Sequence, residues 1–484
     1  MNWVLGFWVL VGISIGWCWW KKKEKKEIEK KNGVPKGNLG WPLIGETLDF
    51  IACGYTSRPV SFMEKRRSLY GKVFKSHLLG RPIIVSTDPD VNKVVLQNNG
   101  STFIPYYPKT ITELLGKSSI LQTNGNLQKR VHGLIGGFLK SPQLKARITR
   151  EIENCVNLSM ETWKDKPLIY MQEETRNLTF QVLVRVLLSV GPGEDLQFLK
   201  REFGEFIKGL ICLPIKLPGT RLYKSLKAKE RLLKMVRKIV EEKKMKLEST
   251  DERSPVMDAV DVLLRSGGEE NEAQRLPLDF ISGNIIEMMI PGEDSVPMVM
   301  TLAVKYLSDC SLALKQLMEE NIELKRRKTH LCENYAWTDY MSLPFTQNVI
   351  NETLRMANII NGIWRKALKD VEIKGYFIPK GWCVLASLSS VHMNEENYEN
   401  PYQFDPWRWE RKEGNGNDNN SSFTPFGGGQ RLCVGLELSR LEVSIFLHHF
   451  ITRYRWVAEE DCVVHFPTVK MKRKLPITVI PISS

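Results

Sequence analysis

The sequence contains no CxxC pair, no glycine-rich dinucleotide or flavin loop and no internal repeat. The first absence argues against a zinc ribbon or a thioredoxin-type redox site. The second means that a nicotinamide or flavin, if one is needed, is carried by another protein. Nine cysteines lie far apart, an odd number that suits a reducing compartment and mostly buried free thiols. The net charge is +14, but no compact Lys/Arg stripe with interleaved aromatics occurs, which argues against nucleic acid as a partner. Residues 21–36 hold eight lysines and three glutamates and supply +5 of that charge.

No Lys or Arg precedes the first apolar run, Trp3 to Trp20, and no small-residue cleavage site follows it. Both absences argue against a cleaved signal peptide. As a helix this run spans about 27 Å, close to the hydrocarbon thickness of a bilayer. Trp3, Trp8, Trp17, Trp19 and Trp20 sit mostly near its ends, and Lys21, Lys22, Lys23, Lys25 and Lys26 follow it. Interfacial tryptophans and a positive cytoplasmic flank predict a single-pass signal anchor over residues 1–20. The default membrane is the endoplasmic reticulum, with the bulk of the chain cytosolic. Residues 21–45 read as a basic, Pro/Gly-rich linker ending in a stiff strap, and residues 46–484 as one large domain.

Within that domain the pattern is mainly α with small β-sheets. Val73–Leu79 and Pro82–Ser86 flank Gly80-Arg81 as a hairpin. Asp88 is placed to cap a helix with Pro89 at its first position. Helical spacing runs over Glu151–Trp163, Asn177–Leu188, Leu222–Met245, Ser342–Met356 and Leu436–Phe450. Leu278–Leu307 is apolar on all sides and reads as a long helix through the core, broken by Pro291 and Gly292, which leave carbonyls unpaired. Strand patterns occupy Val371–Ile378, Val384–Leu388 and Leu475–Pro481. Residues 247–256, 265–275 and 414–422 read as loops.

The segment with the most chemistry is Phe423-Thr-Pro-Phe-Gly-Gly-Gly-Gln-Arg-Leu-Cys-Val-Gly435. Three successive glycines let a backbone approach something closely. Arg431 stands two residues before Cys433, and a helix begins just after it. A nearby cation and a helix N-terminus both favour a thiolate at Cys433. Phe426, Gly427, Gly429, Arg431, Cys433 and Gly435 together resemble the F-x-x-G-x-R-x-C-x-G signature of the cytochrome P450 family.

That resemblance extends over nearly the whole chain and implies a P450 fold with one N-terminal transmembrane helix. It makes Cys433 the axial ligand of a haem b iron, where a thiolate favours O–O cleavage. Glu352 and Arg355, at i and i+3 on one helix, resemble the family's E-x-x-R motif, and Arg408 in Phe404-Asp-Pro-Trp-Arg-Trp completes its triad. Met288-Met-Ile-Pro-Gly-Glu-Asp-Ser295 resembles the acid–hydroxyl motif that delivers protons to oxygen. Glu293, Asp294 and Ser295 are its catalytic candidates, with Pro291 and Ser295 in place of the usual small residue and threonine. Arg431 and Arg365 are the candidate propionate partners. Gln128 and His132 depart from the W/H-x-x-x-R pattern at their positions, so Lys129, Arg130 or His132 would substitute.

The resemblance implies a monooxygenase that inserts one atom of O2 into a C–H bond. NADPH would supply electrons through a separate cytochrome P450 reductase, which Lys129, Arg130 and Arg440 would meet unless they are ordinary surface charges. Leu217-Pro-Gly-Thr220 and Met289–Ser295 are similar to the plant brassinosteroid hydroxylases, and most similar to the C-23 hydroxylase subfamily. A C-22 hydroxylase and a triterpenoid or diterpenoid oxidase are the alternatives, followed by a steroid-binding haem protein without turnover. Ile104–Tyr107, Phe206–Leu213, Ile286–Ile290 and Ile359–Ile363 would line an apolar substrate cavity or fill the core.

Overall fold

The computed structural model describes residues 33–41, 44–98, 100–164, 166–249, 256–267, 275–413 and 421–482. The expected anchor over residues 1–20 and the loop over 414–420 lie outside them. Among the described residues no helix is long and apolar enough to cross a membrane.

Helices form most of the domain. Their largest shared apolar core joins Met171–Leu188, Arg221–Ser249, Pro344–Ala357 and Leu436–Ile451 around the helices that run from Leu278 to Asp309. To one side lies a five-stranded sheet in the order Val73–Leu78, Arg81–Ser86, Cys383–Ser387, Gly362–Ala367, Phe103–Pro105. The hairpin forms as its alternation predicts, with Val73 opposite Ser86 and Leu78 opposite Arg81. Its turn is Leu79-Gly80 rather than Gly80-Arg81. Both turn residues have positive φ, +52° and +77°, which suits the twist of a two-residue hairpin. Asp88 Oδ1 accepts from the amides of Asp90 (2.9 Å) and Val91 (3.0 Å), capping Pro89–Gln97. The strap touches two sheets: Lys75 N, in the five-stranded sheet, donates to Lys36 O at 2.9 Å, and Phe377 N, in the two-stranded sheet Val371–Ile373/Tyr376–Ile378, donates to Gly33 O at 2.8 Å.

The core helix is not continuous. It runs as Leu278–Met288 and Ile290–Asp309, broken at Met289. Pro291 has no N–H for the Glu287 carbonyl, so the chain tightens instead. Met289 N donates to Ile286 O and Gly292 N to Met289 O, each at 3.2 Å. The second helix carries Pro297 inside it, which deprives the Glu293 carbonyl of its partner. Arg176 Nε fills that gap at 3.2 Å.

Candidate active site

The cysteine loop is held by its own backbone. Gly427 N donates to Thr424 O (3.0 Å) and Cys433 N to Phe426 O (3.2 Å). Gly427 and Gly429 have φ of +76° and +64°, a region that favours glycine. A Cβ on Gly429 would lie 2.5 Å from Leu96 O, so the loop packs directly on the end of Pro89–Gln97. From the other side Gln128 Nε2 donates to Gln430 O at 3.3 Å, and His132 Nε2 lies 2.8 Å from Leu432 O. The two residues that depart from the family pattern thus both grip the cysteine loop, while Lys129 between them is exposed.

Cys433 has an exposed surface, yet burial by the surrounding protein pushes its thiol above the usual value, with the Gly435 N–H lowering it in part. The residue therefore opens on an interior space rather than on bulk water. The expected help from Arg431 is absent because its guanidinium turns away. It donates to the Leu121 carbonyl (3.3 Å), the Thr123 carbonyl and Asn124 Oδ1 (2.7 Å). A thiol set this way becomes an anion when a metal takes the place of its proton. No cluster of His, Cys, Asp and Glu among the described residues could hold a metal ion. A metal bound to Cys433 must therefore bring most of its ligands with it, as haem iron does.

Burial lowers the pKa of both Arg365 and Arg431, and Arg365 lowers that of Arg431 further. No carboxylate pairs with either among the described residues; the side chain of Tyr107 lies within electrostatic reach of both. Two sequestered cations without counter-ions fit the two propionates of a haem. Arg440 is already engaged. It donates to Gln347 Oε1 (3.3 Å) and Asn351 Oδ1 (2.5 Å). Arg130 donates to Ser266 O at 2.5 Å.

Glu352 and Arg355 form a paired fork, Nε to Oε2 at 2.9 Å and Nη2 to Oε1 at 2.7 Å. Arg408 Nε joins Glu352 Oε1 at 3.0 Å, and Trp409 Nε1 donates to Oε2 at 3.2 Å. Arg355 Nη1 donates to His392 O (2.9 Å), while His392 Nε2 accepts from Thr424 N (3.2 Å) at the start of the cysteine loop. The buried ion network is thereby tied through His392 to the loop that carries Cys433.

At the break in the core helix, Arg176 holds the acidic pair, 3.1 Å from Glu293 Oε1 and 3.8 Å from Asp294 Oδ1. Burial raises both carboxyls, Glu293 to about 7, against the lowering effect of Arg176. Ser295 is half-buried beside them. Gly292 is where the helix meets its neighbour: a Cβ there would lie 2.1 Å from Leu183 Cδ1, and Thr179 Oγ1 donates to Gly292 O at 2.5 Å. Sequence reasoning singled out neither Arg176 nor Glu287, a second buried acid on this helix. Neither has a partner near in sequence that would have marked it.

The proposed substrate walls divide. Phe206, Ile286 and Met289 belong to the core, Leu213 is 74% exposed, and Tyr107, Ile359 and Ile363 are half-buried.

A family model described as cytochrome P450 matches residues 35–478. A 3-epi-6-deoxocathasterone 23-monooxygenase of Arabidopsis thaliana is 65% identical, over 98% of this chain and 92% of its own length. A second Arabidopsis protein of the same description is 54% identical, over 92% of this chain and 89% of its own. A steroid (22S)-hydroxylase of Oryza sativa subsp. japonica is 35% identical, over 96% and 91%. The solved structure of a retinoic acid-bound cyanobacterial CYP120A1 superposes with a TM-score of 0.81 at 23% identity, covering 93% of this chain and all of that one.

Proposed function

This chain belongs to the cytochrome P450 family, and from that premise we propose that it is a haem-thiolate monooxygenase hydroxylating a plant steroid, a brassinosteroid precursor, at side-chain carbon C-23. The observation that carries the chemistry is Cys433, opening on an interior space, together with buried Arg365 and half-buried Arg431, near each other and neither paired to a carboxylate among the described residues. Identity of 65% to a steroid 23-monooxygenase over nearly the full chain supports the substrate.

When bound, the haem supplies the redox centre at which one atom of O2 enters a C–H bond and the other leaves as water. Cys433 Sγ would ligate it, with the Gly435 N–H tempering the sulfur's charge. Phe426, Gly427 and Gly429 would form the close wall beside the group, and Arg365 and Arg431 would hold its carboxylates. His132 fixes the loop through the Leu432 carbonyl. Asp294 and Glu293, poised by Arg176, hold protons at their carboxyl oxygens and pass them by way of Ser295 Oγ. Electrons come from NADPH through a cytochrome P450 reductase, and residues 1–20 anchor the protein in the endoplasmic reticulum membrane.

The test is a titration of the purified ferric protein with plant steroids, with and without a C-22 hydroxyl, following the haem absorption band. A saturable low-to-high-spin shift is expected, and the tightest ligand indicates the carbon awaiting oxidation. A band that no steroid moves overturns the substrate. Cys433→Ala should abolish both the thiolate signature of the reduced CO complex and turnover.

A further inference from the structure

Gly283 and Glu287, four apart, share a face of Leu278–Met288, and Pro291 and Ser295, four apart, share a face of Ile290–Asp309 just past the break. Pro291 is exposed and Gly283 and Ser295 are half-buried, although this helix runs through the middle of the molecule. Open space therefore lies beside these positions, and a Cβ on Gly283 would meet nothing within 4 Å. Glu287 is the acid among them, 6% exposed. It lies one residue before the end of Leu278–Met288, two residues before the break at Met289. Tyr107 has Glu287, Arg365 and Arg431 as its charged neighbours, so the acid and the two arginines border one region.

The protein satisfies Glu287 only in part. Ser119 Oγ donates to Oε2 at 2.7 Å. The amides of Ile120 and Leu121 are close enough to favour the anion, but donate to Asn284 Oδ1 (2.7 Å) and Ser119 Oγ (3.2 Å). Lys229 is near enough to be felt, yet its ammonium donates to Leu115 O at 2.7 Å. Ser119 is thus the side chain that donates to the acid, with the Ile120 and Leu121 amides adding a lesser favourable contribution. Burial raises this carboxyl to about 7, so near neutral pH a large share is the acid, able to donate as well as accept. In a cavity of apolar walls, one such group fixes the orientation of a rigid ligand.

We infer that Glu287 is the polar anchor of the substrate cavity, hydrogen-bonding a side-chain hydroxyl of the steroid and so setting which neighbouring carbon is oxidised. The inference rests on the steroid reading above. The short spacing from Glu287 to the helix break selects a hydroxyl near the reacting carbon over one at the far end of the ring system. Ser119 and Asn284 are positioning residues that hold the acid and the loop over it.

The test compares spin-shift affinities for matched steroids that differ only in a side-chain hydroxyl beside the oxidised carbon. Wild type should prefer the hydroxylated member by on the order of tenfold to a hundredfold, one hydrogen bond to a buried group. Glu287→Met, similar in volume, should bind both members alike while keeping the thiolate signature of the CO complex. Glu287→Gln should retain most of the preference, and Ser119→Ala should keep it at weaker affinity. A preference that survives in Glu287→Met overturns the anchor and leaves the steroid reading intact. Equal affinities in wild type overturn it without recourse to any variant. A protein that no steroid shifts overturns both readings together.

Discussion

Glu442 lies within Leu436–Ile451, 1% exposed, and its Oε1 has no hydrogen-bond partner among the described residues. Burial raises its carboxyl from 4.5 to about 8. The folded state therefore holds a proton that the unfolded chain releases. The stability this proton gives is full below pH 4.5 and is lost as pH rises to about 8. Glu442→Gln should remove that slope, leaving stability at pH 4 nearly unchanged and raising it at pH 8 by on the order of several kcal/mol. Denaturant unfolding at the two pH values measures it. His448 works in the opposite sense: burial lowers its pKa to about 3, so acid must charge a buried ring. At the site itself, Asp294→Asn should slow turnover by on the order of a hundredfold with little change in steroid affinity, since it removes a proton donor rather than a binding group. Single-turnover kinetics beside the spin-shift titration separate the two. Cys433, Glu352 and Arg355 were legible as single residues because each sits in a fixed local spacing. Arg431 was legible as a cation but not as one that turns from the sulfur, since its carbonyl partners lie 308 and 310 residues away.

At the scale of the element, periodicity located the helices, and Pro291-Gly292 marked the break in the apolar run Leu278–Leu307. Hydrophobic patterning left open the geometry of that break and the partners of the backbone carbonyls that Pro291 and Pro297 release. Those are resolved by a tightened turn at Met289 and by Arg176 from the neighbouring helix. Gly292 is the tightest point of that packing. Gly292→Ala should destabilise the protein by about 1–3 kcal/mol through overpacking. Leu183→Ala in the same chain should recover much of the loss, because Leu183 Cδ1 is the atom the new methyl meets. Thermal melts of the two single variants and the double variant give the coupling. The strand pattern over Val371–Ile378 resolves into two strands, Val371–Ile373 and Tyr376–Ile378, turning at Lys374-Gly375, both with positive φ. A glycine at the second position is the local signal for that turn.

Over the whole molecule the net charge of +14 favours encounter with an acidic partner. Lys129 stays exposed on the helix that grips the cysteine loop, and we propose it as a contact for the redox partner. Lys129→Glu should slow reductase-driven reduction several-fold at low ionic strength. The difference should vanish at high salt, as exposed charges are screened. Stopped-flow reduction across a salt series reads both. By itself the sequence determined the mainly helical class, the cysteine loop, the acid–hydroxyl segment and the Glu–x–x–Arg pair. In each of these the chemistry lies within a few residues, where spacing dictates geometry. Only the tertiary structure decided that Arg176 clamps the acids from 117 residues away and that Ser119 meets Glu287 across 168. Only it showed Arg365 and Arg431 sharing one region without a carboxylate between them. Such pairings depend on how helices pack against one another, and helical periodicity records which face is buried but not which partner it is buried against.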